Sequence, residues 1–179
     1  AGDFFSTLQG HFPRLPIVAE DLGFIDSDVR EIMRRFQIPG MKVLLFAFGE
    51  DNPMHPYLPH NYERDCVAYT GTHDNNTIRG WCEREAKPDD LRRVFRYLGR
   101  EVPLGEIHCE LIRLAMMSVA NTVLFPMQDL LGLGEEARMN RPATSGGNWE
   151  WRLSEEQLNP SLPAKLLEMT EEYGRASPS

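Results

Sequence analysis

The sequence predicts an α/β fold in which parallel strands alternate with helices. Short apolar runs are typical of buried strands, and helical patterns or long loops separate them, as parallel pairing requires. Acidic residues stand close behind three of these runs, as Glu20, Asp74 and Asp129. Because chemistry in parallel α/β enzymes gathers at the carboxyl ends of the strands, these acids indicate an enzyme.

Four apolar runs are predicted to be strands. They cover residues 16–20, 41–48, 66–70 and 122–127. The run 41–48 is almost continuously apolar, which is typical of a strand covered on both faces. Side chains alternate along a strand, so this prediction places Phe46 and Phe48 on one face, with core packing as their default role.

Helical patterns fill the connections between the predicted strands. The clearest places Val29, Ile32, Met33 and Phe36 on one stripe, with Asp26 or Ser27 as the cap. This helix is stopped by Pro39-Gly40, and the other predicted helices cover residues 3–11, 77–85, 88–98, 104–120 and 162–174. The chain reads as a single unit over residues 1–179. Since a closed (β/α)8 barrel needs eight strands and about 250 residues, the pattern fits a small open sheet or part of a barrel.

Composition limits the classes of partner. The net charge is −8 without a basic block, which argues against nucleic acid and against an anionic membrane. No apolar run reaches the ~18 residues of a membrane span. The three cysteines lack metal-site spacing and fit a cytoplasmic protein. The start of the chain also lacks the features of a signal peptide.

Glu20 and Asp74 follow two different strands, and such positions meet above one edge of a parallel sheet. Paired carboxylates are the requirement of glycoside chemistry, where one carboxyl donates a proton and another attacks or stabilises positive charge. The competing interpretation is that strand-end acids, including Asp21 and Asp129, cap the following helix. A lone His73 is a poor metal ligand, so no metal and no cofactor is predicted.

Five ordered motifs carry a resemblance to a known family. They are Ile17-Val-Ala-Glu-Asp-Leu-Gly23, Pro39-Gly-Met-Lys-Val-Leu44, Pro56-Tyr-Leu-Pro-His-Asn-Tyr62, Tyr69-Thr-Gly-Thr-His-Asp-Asn75 and Gly147-Asn-Trp-Glu-Trp-Arg152. In this order they resemble the C-terminal part of 4-α-glucanotransferase, also called amylomaltase or disproportionating enzyme. The resemblance implies the C-terminal half of a TIM (β/α)8 barrel, strands five to eight, and a retaining transfer of α-1,4-glucan segments to glucose or another glucan.

The resemblance also implies roles for single residues. Glu20 would be the general acid/base, and Asp74 would stabilise the transition state through hydroxyls of the scissile sugar. His73 would hold the same ring, and Phe46 would lie on the acceptor side. A weaker inference places Asn148 and Trp149 near the substrate groove, although such residues are also common as loop anchors.

One part of the family pattern is missing from this sequence. The family's nucleophile is the aspartate of an Arg-x-Asp-His-Phe motif, and the only acid before Glu20 is Asp3, which lacks that context. A retaining enzyme needs that carboxylate for its covalent intermediate. The chain is therefore expected to be inactive alone and to associate with itself or with an N-terminal half, since a half-barrel leaves open strand edges.

Two other functions remain open at this stage. A non-catalytic glucan-binding module would keep the carboxylate pair without turnover. An α-amylase-type hydrolase fragment would use similar carboxylates, although the motifs around Tyr57 and Asn148 favour the glucanotransferase. Smaller departures from the family pattern are Asn76 and Ala143, at positions where the family often has Asp and Gly.

Overall fold

A computed structural model describes residues 2–13 and 16–176 of the chain. Its sheet has three parallel strands in the order β1-β2-β3, namely β1 Gly40–Val43, β2 Cys66–Tyr69 and β3 Thr122–Leu124. In the register, Met41 lies opposite Val67, and Ala68 lies opposite Val123. Helical crossovers and a long loop connect the parallel strands, which confirms the α/β class.

In the part of the chain that the structure describes, seven α-helical segments accompany the sheet. They are α1 Gly2–His11, α2 Ser27–Phe36, α3 Ile78–Gly80, α4 Pro88–Leu98, α5 Ile107–Met116, α6 Met127–Leu130 and α7 Ser161–Glu172. The predicted start of α2 is confirmed, because the Asp26 carboxylate accepts the Val29 N–H at 2.9 Å. The α3 turn continues as a π-helical turn over Trp81–Glu85. None of the helices in the described ranges combines the length and apolar character needed to cross a membrane.

The strand predicted at residues 16–20 is absent, so the described residues form three strands rather than the predicted four. This segment lies beside β1 through a backbone hydrogen bond from the Ala19 N–H to the Pro39 carbonyl, at 2.9 Å. A strand requires a repeated ladder of such bonds. Val18 in this segment is 46 % exposed. An apolar run is therefore not sufficient to form a buried, fully paired strand here.

The second predicted strand is half as long as expected. It ends at Val43, which lies opposite Tyr69, the last residue of β2. Beyond that point one backbone bond, from the Leu45 N–H to the Thr70 carbonyl at 3.3 Å, joins the two segments, and Leu44–Phe48 turns into a 3₁₀ helix. The prediction that Phe46 and Phe48 share a strand face is therefore wrong. Phe48 is 1 % exposed and belongs to the core, whereas Phe46 is 41 % exposed.

The third strand of the sheet is shorter than predicted and leaves an open edge. It ends at Leu124, and Phe125 and Pro126 lead directly into α6. Proline cannot donate a ladder hydrogen bond, so pairing stops before it. Leu124 is 48 % exposed, and within the described residues β3 pairs only with β2.

The core lies between the sheet, the 3₁₀ turn and helices α3, α4 and α5. Its largest fully buried side chains include Phe48, Leu44, Ile78, Ile107 and Leu111. The α4 helix is tied to the turn by Arg93, whose Nη1 donates to the Phe48 carbonyl at 3.0 Å and to Asp90 Oδ1 at 2.8 Å. This packing fixes the carboxyl ends of β1 and β2, where the candidate site lies.

Candidate active site

A cleft of about 900 Å³ opens at the carboxyl ends of the three strands. Five of the six residues predicted for the site line it together: Glu20, Phe46, His73, Asp74 and Trp149. The strand ends themselves contribute Tyr69 and Leu124 to the floor. The fold therefore brings together residues that are far apart in the sequence. Asn148 does not line the cleft.

Glu20 and Asp21 face different surroundings. Glu20 is exposed and lines the cleft near Tyr69, whose pKa is raised by burial and, to a smaller extent, by the negative charge of Glu20. Asp21 instead accepts the Met41 N–H at 2.7 Å, and a Cβ on Gly40 would lie 2.5 Å from its Oδ2. Asp21 therefore secures the start of β1, and Glu20 remains available for chemistry.

The turn after β2 presents His73 and Asp74 side by side. The Asn75 Oδ1 accepts the Thr72 N–H at 2.8 Å, and the Asp74 N–H reaches the Thr72 Oγ1 at 3.3 Å. These side-chain-to-backbone bonds are the means by which Asn and Thr stabilise tight turns. His73 Nε2 lies 3.3 Å from Asp74 Oδ1, and both side chains are about half exposed towards the cleft. Both groups can therefore reach a ligand.

The buried Asp129 holds this turn in place through two hydrogen bonds. Its carboxylate is 1 % exposed and accepts the Thr70 hydroxyl and the Ile78 N–H, each at 2.7 Å. Burial raises the pKa of Asp129 to about 6, and these two hydrogen bonds offset part of that rise. The acid thus accepts the first N–H of the helix that follows β2, whose N-cap residue is Thr77, and it holds both ends of the turn.

Arg138 and Asn140 also belong to the site, although they were not predicted from the sequence. Asn140 Nδ2 donates to Asp74 Oδ1 at 2.6 Å, and Arg138 Nη2 donates to the Asp74 carbonyl at 2.9 Å. The signal in the sequence was only that a Gly-, Asn- and Arg-rich loop follows Asp129. Nothing in that composition indicates which of its polar residues folds back onto Asp74.

Aromatic side chains form the walls of the cleft. The rings of His73 and Trp149 have centroids 5.1 Å apart at an interplanar angle of 36°. On the other side Phe46 packs against Tyr57 with a centroid distance of 5.7 Å. Flat apolar faces beside hydrogen-bonding groups suit a ligand that has both apolar and polar faces. A sugar ring is such a ligand.

Asn148 shapes the loop that carries Trp149. Its Oδ1 accepts the Arg141 N–H at 2.8 Å, and its Nδ2 donates to the Thr144 Oγ1 at 2.9 Å. Ala143 in the same loop has a φ of 63°, a left-handed conformation that favours glycine. Glycine, which the resemblance leads one to expect here, would relieve that strain.

The described ranges, residues 2–13 and 16–176, contain no group of three or more His, Cys, Asp or Glu side chains arranged to hold a metal ion. Glu20 faces the cleft uncommitted, whereas Asp74 in the cleft and the buried Asp129 beside it have protein partners. Asp74 is paired with His73 and Asn140, and Asp129 with Thr70 and Ile78. The carboxylates and the imidazole that line the cleft can offer proton transfer and charge stabilisation.

Comparisons with known proteins give a consistent match. A family model described as 4-alpha-glucanotransferase matches residues 1–158. A 4-alpha-glucanotransferase from a Synechocystis strain is 52 % identical over 175 residues, which is 97 % of this chain and 34 % of that protein. A 4-alpha-glucanotransferase from Aquifex aeolicus is 47 % identical over 152 residues, covering 85 % of this chain and 31 % of that protein.

Solved structures agree with these matches. An amylomaltase from Streptococcus agalactiae in complex with acarbose is 36 % identical, with a TM-score of 0.90 over 98 % of this chain and 35 % of that one. An amylomaltase from Corynebacterium glutamicum, at 19 % identity and a TM-score of 0.63, covers 94 % of this chain and 29 % of that one, and shows a shared fold only. The chain spans about a third of the length of the relatives it matches.

Proposed function

Because this chain belongs to the 4-alpha-glucanotransferase family, we propose that it forms part of an enzyme that transfers α-1,4-glucan segments. The acceptor is glucose or another glucan, and the mechanism retains the configuration of the transferred sugar. The observation that carries the proposal is that Glu20 and Asp74 line one cleft between aromatic walls. A cleft that holds two carboxylates has the proton donor and the anion that glycoside chemistry needs.

Glu20 is the proposed general acid/base. It donates a proton to the leaving oxygen in the first half of the reaction and then deprotonates the acceptor hydroxyl in the second half. This role needs a carboxyl that is not committed to the protein. Glu20 is exposed in the cleft, whereas its neighbour Asp21 is engaged with the Met41 N–H.

Asp74 is the proposed stabiliser of the oxocarbenium-like transition state. Its carboxylate supplies negative charge beside the reacting ring and accepts hydroxyl hydrogen bonds that strengthen as the ring flattens. His73 lies on the same turn and would donate to a neighbouring hydroxyl. The support for these roles is that both side chains are about half exposed to the cleft while the turn itself is held by internal hydrogen bonds.

Phe46 and Trp149 are the proposed stacking surfaces for sugars on the two sides of the scissile bond. Each forms one aromatic wall, against Tyr57 and His73 respectively. Asn148 serves the ligand indirectly in this proposal, by holding the loop that carries Trp149. Acarbose, the ligand named for the Streptococcus agalactiae amylomaltase, is the proposed ligand of this protein as well.

We further propose that residues 1–179 form the C-terminal half of a (β/α)8 barrel, strands five to eight. In that arrangement the segment 16–20, now linked to β1 through the Ala19–Pro39 hydrogen bond, becomes the fourth strand once a neighbouring strand covers it. The nucleophilic carboxylate comes from another part of the intact protein, because these residues contain no Arg-x-Asp-His-Phe motif.

The 179-residue polypeptide is expected to show no disproportionation of maltotriose on its own. Grafted into the Synechocystis relative in place of the aligned third, it is expected to restore transfer, because the remaining two thirds then supply the nucleophile. Product analysis by chromatography distinguishes transfer, which yields longer glucans, from hydrolysis. Turnover by the isolated polypeptide would contradict the proposal, as would a folded graft without transfer.

The isolated chain is also expected to self-associate. Phe24 is 99 % exposed, Leu124 is 48 % exposed, and the outer edge of β3 has no partner strand among the described residues. Open edges and exposed apolar side chains promote association. Sedimentation velocity over a range of concentrations checks this, with Leu124→Lys as the variant that should weaken the association. A concentration-independent monomer would show that the edge is tolerated in water.

A further inference from the structure

The guanidinium of Arg138 joins three separate segments of the site. Its Nη2 donates to the Asp74 carbonyl at 2.9 Å, its Nε to the Asn140 carbonyl at 2.9 Å, and its Nη1 to Glu85 Oε1 at 2.7 Å. The side chain is only 13 % exposed. A planar guanidinium presents its N–H groups in a fixed fork, so three simultaneous acceptors define its position closely.

Asn140 adds two further bonds to the same turn. Its backbone N–H donates to the His73 carbonyl at 3.0 Å, and its Nδ2 donates to Asp74 Oδ1 at 2.6 Å. The second bond holds the carboxylate itself. Together with the Arg138 bond to the Asp74 carbonyl, it fixes both the backbone and the side-chain rotamer of Asp74.

The same segment positions the aromatic wall. Met139 stands between Arg138 and Asn140, and its carbonyl accepts the Trp149 N–H at 2.7 Å. Trp149 in turn lies against His73 with a centroid distance of 5.1 Å. Residues 138–140 therefore contact His73 and Asp74 on one side and the Trp149 backbone on the other.

We propose that Arg138 and Asn140 are positioning residues that set the orientation of the Asp74 carboxylate and fix its distance from the Trp149 wall. This inference rests on the proposed function, because Asp74 must be the transition-state stabiliser for its orientation to matter. Asn140 acts directly on the carboxylate oxygen. Arg138 acts through the backbone, because its rigid guanidinium donates to both the Asp74 carbonyl and the Asn140 carbonyl.

The orientation matters because electrostatic stabilisation depends on groups that are already in place when charge develops. Asp74 is about half exposed, so without these bonds its carboxylate could rotate towards water. A carboxylate that has to reorient as charge develops stabilises the transition state less, while binding of the substrate changes little. The loss therefore falls on kcat more than on KM.

The kinetic test uses the graft of this chain into the Synechocystis relative, assayed for maltotriose disproportionation. Arg138→Ala is expected to lower kcat about tenfold or more, with KM changed less than about threefold. Millimolar guanidinium is expected to restore part of kcat, because it can occupy the vacated position. Arg138→Lys should recover little, since an ammonium group cannot reproduce the planar fork.

Asn140→Ala provides a second variant that removes one side-chain bond and leaves the backbone bond to His73 intact. It is expected to lower kcat about fivefold or more without loss of thermal stability. Arg141→Ala is the matched control, because that side chain lies in the same loop and pairs with Glu135 rather than with Asp74. Its kcat should stay within about twofold of the parent value.

A readout without turnover uses the full 179-residue chain. Amide exchange measured by NMR is expected to accelerate about tenfold at Asn140 and Trp149 in Arg138→Ala, and to stay unchanged at Ala68 in β2. Variants of Arg138 and Asn140 that keep kcat within about twofold in a working graft would overturn the positioning role. An inactive unmodified graft would instead count against the proposed function, and the exchange data would then decide whether residues 138–140 hold the turn.

Discussion

Replacing Glu20 by glutamine in the graft is expected to lower kcat for maltotriose disproportionation by about 10²–10⁴-fold, because both half-reactions lose their proton-transfer group. Glutamine has nearly the same shape, so binding of acarbose should persist. Asp74→Asn is expected to cost about 10²–10³-fold in kcat, since the amide keeps a hydrogen-bonding oxygen but removes the negative charge. Initial rates of glucose release, together with acarbose binding by calorimetry, measure both effects.

Asp21→Asn is the matched control for Glu20→Gln. Asp21 is the adjacent carboxylate in the sequence, but it accepts the Met41 N–H rather than facing the cleft. An asparagine oxygen can accept the same bond, so the graft should retain its kcat within a few-fold. If Glu20→Gln and Asp21→Asn behave alike, Glu20 is not the acid/base. Acarbose or maltooligosaccharide binding without any transfer, unaffected by Glu20→Gln, would favour a non-catalytic glucan-binding module.

Asp129 is expected to make the chain less stable as the pH rises from about 4 to about 6. Its pKa is about 6 in the folded protein, against an ordinary value of 3.8. Between these values the folded state binds more protons than the unfolded state, so the free energy of unfolding falls with increasing pH. The stabilisation is complete below 3.8 and is lost above about 6, a difference of about 3 kcal/mol.

Comparison with Asp129→Asn isolates this contribution. Asparagine stays neutral and can still accept the Ile78 N–H, so the variant should gain about 3 kcal/mol relative to the parent chain between pH 3.5 and pH 7. Urea unfolding at several pH values measures the difference, in which the other carboxylates cancel. Asp51→Asn is the control of opposite sign, because Arg96 lowers the pKa of Asp51. A stability difference that does not change with pH would show that folding does not raise the pKa of Asp129.

Much of the helical part of the fold could be predicted because its signals are local. The helix over residues 27–36 has a capping side chain at Asp26, and α4 has proline at its first position and the left-handed Gly99 at its end. The strands were predicted less well. An apolar run indicates burial, and four of the five residues of the 3₁₀ turn 44–48 are buried without belonging to a strand. Whether a run pairs depends on the length of its neighbour, which lies elsewhere in the sequence.

The candidate site, too, has features that the sequence predicts and features that depend on the tertiary structure. The sequence by itself determined the family, the chemistry-bearing types at Glu20, His73 and Asp74, and their places behind apolar runs. Only the tertiary structure decided that Phe46 lies on a 3₁₀ turn, that Asp129 holds the turn after β2, and that Arg138 and Asn140 hold Asp74. The physical reason is that side-chain identity is local, whereas the hydrogen bonds that orient a carboxylate join residues more than sixty positions apart.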